Sequence, residues 1–430
     1  SVAGTFTATS GEAITDSGVL TISGTSSFNT DVANKDIVLN TQTNAISGSV
    51  SFNTLGTGSA TLDNGNANVF IGNSDIGGSL TVTTGGAISD AGGALILVDG
   101  TSSFTTDVAN KTITLDNTTN AFAGAMNFST IGGAGNVLID NGTTALNLGT
   151  VSVAGTFTAT SGEAITDSGV LTITGTSLFT TDVANKDIVL NTETNAISGL
   201  VRFTTSGTGS VTLDNGNTDV ALGTTTIRGG LTVRTGGSIS DAGGALITVD
   251  GASSFTTDVA DKAIALNNTT NAFTGAMSFS TLGTLGHVTI DNGTTALNLG
   301  TVGVNGNFTA ISGAGITDSG VLTISGNGSF TADVANQSIV LDTGTNAITG
   351  FSTFTTSGTG NVVWDNGTTN LFLGNSGIGG NLTLTSGGTI GDAGGALISV
   401  GGTSSFTTDV ADKTIMLDNT TNAFAGAMIF

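Results

Sequence analysis

Apolar and polar residues alternate along this chain in short bursts, separated by clusters of Gly, Asn, Asp, Ser and Thr. Ile113-Thr114-Leu115, Leu80-Thr81-Val82 and Phe157-Thr158-Ala159 each place their apolar side chains on one face. Alternation over three to five residues predicts a half-buried strand, and the Gly/Asn/Asp clusters between bursts are turn chemistry. Helix is disfavoured by the residues themselves, because Gly, Thr, Ser, Asn and Asp saturate the chain and all are mediocre to poor in helix interiors. The expected class is all-β.

The bursts recur. Ser103–Phe122 (SFTTDVANKTITLDNTTNAF) has counterparts beginning at Ser27, Leu178, Ser254, Ser329 and Ser405, and the nine residues from Ser1 return word for word from Ser152. The long period is therefore 151 residues, with a half period of 75 or 76. This divides the chain into unit 1 (1–151), unit 2 (152–302) and an incomplete unit 3 (303–430), expected to form one continuous rod. Within each long period, one apolar column repeats: Phe6, Phe28, Phe52, Leu80, Phe104, Phe128; then Phe157, Phe179, Phe203, Leu231, Phe255, Phe279; then Phe308, Phe330, Phe354, Leu382, Phe406, Phe430. Its intervals run from the shortest, Phe6 to Phe28, to the longest, Phe128 to Phe157. Such spacing suits one coil of a parallel β-solenoid (β-helix) with three short strands and three turns per coil. On that reading Phe6 to Phe430 covers 17 coils, roughly 80 Å at about 4.8 Å per coil. The column is the expected core, each buried Phe contributing roughly 2–3 kcal/mol before entropy.

Composition sharpens this picture. There are 67 Gly, no Pro and no Cys, and 31 acids against 8 bases give a net charge of −23. Nucleic acid and anionic membrane surfaces need Lys/Arg clusters and are not expected as partners. No run of about 18 apolar residues is present, so no membrane insertion as a helix is expected. Without disulfides, stability has to come from stacking, and without Pro every coil can donate hydrogen bonds to the next. The first residues lack a basic and apolar leader pattern, so a secretion signal is expected to lie outside this sequence. The chain begins in mid-repeat and stops at Phe430 with no atypical capping sequence, which reads either as a window from a longer polypeptide or as subunits that continue one another end to end.

Candidate chemistry is sparse and repeated. Asn44, Asn120, Asn195, Asn271, Asn346 and Asn422 are expected at corners, in left-handed turns. The Asp-Asn-Gly turns at Asp63, Asp140, Asp214, Asp291 and Asp365 supply hard oxygen donors and are the weak candidates for Ca²⁺; no other cofactor is expected. Two further acid columns start at Asp16 and Asp31. Acids that recur throughout do not form the unique constellation that catalysis needs, and the one His, His287, sits in a slot that the other copies fill with small or apolar residues. No enzyme activity is expected; a polysaccharide-acting β-helix enzyme is the least favoured alternative. Lys35, Lys111, Lys186, Lys262 and Lys413 follow the Asp31 column by four residues and read as solvated turn pairs, or as a regularly spaced strip for lateral bundling.

The strings Thr43–Phe52, Ala60–Gly65 and Gly78–Ile88 resemble the repeats of giant bacterial exoproteins of the filamentous-haemagglutinin-like class. The resemblance covers the whole chain and implies a right-handed parallel β-helix, export to the bacterial cell surface, and a role as adhesin or fibre shaft. It carries no functional residues, because it is a resemblance to shaft repeats. Together these observations lead to the expectation of a structural extracellular fibre or shaft whose partners are other copies of itself or further coils of a longer chain. The alternative is an adhesin that binds glycans or matrix through outer Thr/Asn/Asp ladders.

Overall fold

The computed structural model describes residues 1–430. The chain is an all-β parallel β-solenoid of about 19 turns with no helix. It divides into two compact units, Ser1–Gly216 and Asn217–Phe430. Strands run from two to eight residues, and the apolar member of each alternation points inwards. A complete coil has three strands, as in Phe6–Ser10, Ile14–Thr15 and Thr21–Ile22, after which Ser26–Thr30 stacks on Phe6–Ser10.

The coils are shorter and more numerous than the spacing of the Phe column implies. In the first unit, parallel pairing climbs from Phe6–Ser10 through Ser26–Thr30, Ser49–Thr54, Val69–Ile71, Ile88–Asp90, Ile113–Leu115 and Val137–Asp140 to Phe157–Ser161, which repeats the starting pentapeptide FTATS. Seven steps thus span the long period, where the apolar column has six members. The coils differ in length: the step from Val69 to its partner Ile88 is the shortest in this climb, and the step from Ile88 to its partner Ile113 the longest.

The difference arises because the Phe column is not confined to one sheet. Phe52 lies in a strand of the first sheet, whereas Leu80 pairs with Ala60 and Ser102 in the second. Phe128 pairs with Val151 in the second sheet, and Phe157 with Val137 and Ser177 in the first. Each of these two long intervals therefore covers one and a half coils. A half period is three and a half coils, so equivalent motifs alternate between faces: Ser26–Thr30 on the first sheet, Ser102–Thr106 on the second, Ser177–Thr181 on the first. The same alternation holds in the second unit for Ser253–Ala260, Gly328–Ala332 and Ser404–Thr408.

The rings still touch across these changes of face. Phe104, Phe128, Phe157, Phe179 and Phe203 form an unbroken chain with centroids 5.7–5.9 Å apart. Phe255, Phe279, Phe308, Phe330 and Phe354 form another, at 5.6–5.9 Å. Phe179 is fully buried, so Phe179→Ala opens a void on the axis and is expected to cost about 3–5 kcal/mol in urea denaturation. A loss below about 1 kcal/mol would show that the rings are not a packed column.

Close approach of backbones sets a second constraint. Gly155, Gly175 and Gly199 stack on three successive coils, as do Gly306, Gly326 and Gly350. A Cβ on Gly175 would overlap the carbonyl oxygen of Gly155, and one on Gly199 that of Gly175. The column is glycine because backbone lies directly on backbone.

Left-handed backbone occurs at positions other than those the sequence suggests. Asn34, Asn110, Asn185, Asp261, Asn336 and Asp412 have φ of 62–67°, each just before the Lys or Gln that follows the Asp31-column turn. The Asn44 column is absent from this set; its members have another task.

Candidate functional site

Asn44 is buried, with 1% of its surface exposed. Its Oδ1 accepts the Leu20 N–H of the coil beneath at 2.8 Å, and its Nδ2 donates to Asp16 Oδ2 at 2.6 Å. The same Asn-to-Asp bond joins Asn120 to Asp90, Asn195 to Asp167, Asn271 to Asp241, Asn346 to Asp318 and Asn422 to Asp392, at 2.6–2.9 Å. One whole acid column is therefore engaged in holding coil to coil.

The Asp-Asn-Gly turns divide their bonds, the Asp closing the turn and the Asn reaching the neighbouring coil. Oδ1 of Asp63, Asp140, Asp214, Asp291 and Asp365 accepts the N–H of the glycine two residues on, at 2.8–3.0 Å. That glycine has φ of 53–56°, the left-handed region in which it carries no Cβ penalty. The Asn between them is fully buried. Asn141 Oδ1 accepts the Phe122 N–H at 2.8 Å, and Nδ2 donates to the carbonyls of Phe122, Thr144 and Ala145 at 2.9–3.1 Å. A side-chain amide has the same donor and acceptor as a peptide group, so this Asn stands where a third strand would otherwise stack on Ala121–Phe122. Asn64 does the same on Ile46, Asn215 on Ile197, Asn292 on Phe273 and Asn366 on Ile348. No group of three or more acidic or His side chains gathers in a way that could hold a metal ion.

Three acids shift in opposite senses. Burial pushes the carboxyls of Asp140 and Asp291 above their ordinary range, helped by nearby acids (Asp182 and Asp116; Asp333 and Asp241) and only partly offset by the glycine N–H. Burial also acts on Asp16, but hydrogen bonds from Asn44, Thr41 and Asn40 outweigh it and hold that carboxyl below the ordinary value. A raised folded pKa contributes stability that is complete below the unfolded value of 3.8 and lost as pH rises through the folded value; a lowered one contributes above 3.8 and is lost as pH falls through the folded value. Asp140→Asn, which keeps the turn acceptor, is therefore expected to raise the urea midpoint at pH 7 and to lose that gain towards pH 3. Asp16→Asn is expected to lower the midpoint at pH 7, with the deficit shrinking in acid. Parallel pH profiles for the two variants would contradict these assignments.

The Asp31 column is exposed, and Lys35 does not pair with it. Lys35 Nζ meets Glu12 Oε2 on the coil beneath, and Lys186 meets Glu163 likewise. Arg228 and Arg234, found only in the middle period, reach Asp250 and Asp258 at 3.0 and 2.8 Å. Because half-periods alternate in face, Lys35 and Lys111 follow strands of different sheets. A lysine strip on one side thus recurs every seven coils. His287 accepts the Asn307 N–H through Nδ1 at 2.9 Å. Its slot is one for acceptors, since Ser59, Asn136 and Asn361 serve Ser79, Thr156 and Asn381 in the same way. The slot is therefore polar, not small or apolar: its other occupants are Ser59, Asn136, Ser210 and Asn361, and stacking supplies the N–H that each acceptor meets.

The Asn-to-Asp bond returns in every half-period, and so does a family signature. A family model described as repeats of unknown function, DUF5649, matches residues 1–53, 57–129, 134–204, 208–280, 285–355 and 359–430. The chain belongs to the DUF5649 repeat family. No curated protein and no solved structure matches it. The matched segments follow the half period, so one DUF5649 repeat corresponds to three and a half coils, and neighbouring repeats present their equivalent strands on opposite faces.

Proposed function

We propose that this DUF5649 repeat array is a mechanical element, the shaft of an extracellular fibre or of a giant bacterial surface protein. The observation that carries the proposal is the use of the recurring polar side chains. The Asp16 and Asn44 columns, the Asp-Asn-Gly turns and the Lys35–Glu12 type of pair bond one coil to the next. Such an array gains length by adding coils, with each new coil buried on the last. Its work is to hold distance and resist extension, without catalysis or a resident cofactor. The resemblance to filamentous-haemagglutinin-like shaft repeats supports placing it at the bacterial surface. Further coils, of the same polypeptide or of another copy, would extend the ladder through the same main-chain donors and acceptors.

Electron microscopy of the purified native material tests this. Unbranched rods or filaments with an axial repeat of about 4.8 Å are expected. Compact particles with no such axial order would overturn the shaft reading.

A further inference from the structure

One face of the second unit departs from its counterpart in the first. Phe351 pairs with Phe372, Phe372 with Gly391, and Gly391 with Met416 on successive coils. Their side-chain positions face outwards, and Phe351 is 45% exposed. Two periods earlier the same register reads Ser49, Phe70, Ser89 and Thr114. Beside it, Asp75 and Asp99 of the early copy have become Gly377 and Gly401. The later copy has thus lost charge and side-chain bulk and gained a second aromatic ring.

Against Phe351 lies a groove of about 410 Å³, lined also by Asn327, Thr353, Asn375 and the Ala393–Ala396 loop. That volume falls within the roughly 300–1,000 Å³ of small-ligand sites. Asn327 Oδ1 accepts the Phe351 N–H at 2.9 Å and Asn375 Oδ1 accepts the Leu397 N–H at 2.8 Å. Both amides are thereby fixed in orientation, and neither Nδ2 donates to another protein group. The loop glycine Gly394 has open space where a Cβ would be. None of the lining residues is charged, in a chain whose net charge is −23.

This chemistry selects its ligand class. A cation would find no acid in the groove, and a polyanion would find no base and the field of the whole chain against it. A pyranose ring offers what the groove complements: an apolar C–H face for the exposed aromatic ring and a rim of hydroxyls for the fixed amide donors and loop backbone. We infer that the groove between Phe351 and the Ala393–Ala396 loop is a binding subsite for a neutral saccharide. It is a local departure on the array and does not depend on the shaft reading.

The test is calorimetric titration of the whole chain with cellohexaose, maltohexaose, xylohexaose, mannohexaose and chitohexaose, at low and high salt. At least one is expected to bind saturably with little salt dependence. Phe351→Ser, which installs the residue found at position 49, is expected to weaken binding by at least about tenfold, while Phe70→Ser on the early copy leaves it unchanged. Matching melting curves for the variants and the parent establish that both fold. No saturable heat with any of the five, or binding that survives Phe351→Ser, would overturn the inference. So would self-association that Phe351→Ser abolishes in a chain that binds no saccharide, since the face would then be covered by a second copy.

Discussion

Gly199→Ala is expected to destabilise the first unit by about 3 kcal/mol, the upper end of what overpacking costs. The added methyl group would overlap the carbonyl oxygen of Gly175. That oxygen belongs to the backbone of the neighbouring coil and cannot rotate aside as a side chain can. Relief requires the two coils to separate locally, which stretches the main-chain ladder on either side. Gly133→Ala is the matched control, since nothing lies within 4 Å of a Cβ there and its φ is not left-handed. It is expected to be neutral or to stabilise by a few tenths of a kcal/mol, through the lower entropy of the unfolded chain. Urea denaturation followed by circular dichroism measures both. Equal midpoints for the two variants would mean that the glycine column is not a stacking requirement.

Asn141→Leu carries the second large effect. The substitution keeps size but removes one acceptor and one amide donor group. The Phe122 N–H and the carbonyls of Phe122 and Ala145 then lose their partner, while the Thr144 carbonyl keeps the Ser161 hydroxyl at 2.9 Å. A buried group left unpaired costs about 1–3 kcal/mol, and the turn can relax to recover part of that, so a loss of about 4 kcal/mol is expected. Asn141→Asp keeps an acceptor but turns the donating side into a negative charge facing three carbonyl oxygens, and is expected to be at least as damaging at pH 7. Hydrogen exchange gives the local readout. The Phe122 amide should lose protection in both variants while that of Ile188, several coils away, changes little. Unchanged exchange at Phe122 would show that Asn141 does not act as a stand-in for a strand.

The class of fold was legible from simple features. Short alternations such as Ile113-Thr114-Leu115, a chain saturated with poor helix formers, and the return of Ser1–Thr9 at Ser152 were enough for a stacked parallel array. The number of coils was not. Phe52 and Leu80 look like consecutive rungs because both are large and apolar, yet they belong to different sheets. The intervals from Phe52 to Leu80 and from Phe128 to Phe157, longer than the others in the column, were the available signal.

Local polar chemistry was harder to read, for a physical reason. The Asp-Asn-Gly turns were recognisable as turns, but the partner of Asn141 is Phe122, a contact fixed only by the stacking register. The same applies to Asn44 and Asp16, which are 28 residues apart in sequence and 2.6 Å apart in space. Asn tolerates left-handed corners, and the structure places Asn34, Asn110, Asn185 and Asn336 there and none of the Asn44 column. Residue type alone does not separate the Asn that bends the backbone from the Asn that replaces it. Phe351 is hard to read for the opposite reason: in a sequence with 21 Phe, an outward one looks like all the others.

The most direct test of the account is a distance across one full period. The chain has no Cys, so spin labels can be attached at Thr7→Cys and Thr158→Cys, equivalent outward positions on the identical strands Phe6–Ser10 and Phe157–Ser161. Seven coils at about 4.8 Å place the labelled backbone positions about 34 Å apart along the stack. A narrow pulsed-dipolar distribution centred near that value is the predicted result. A maximum shorter by one coil spacing, as six coils would give, or a broad distribution with no preferred distance, would contradict it.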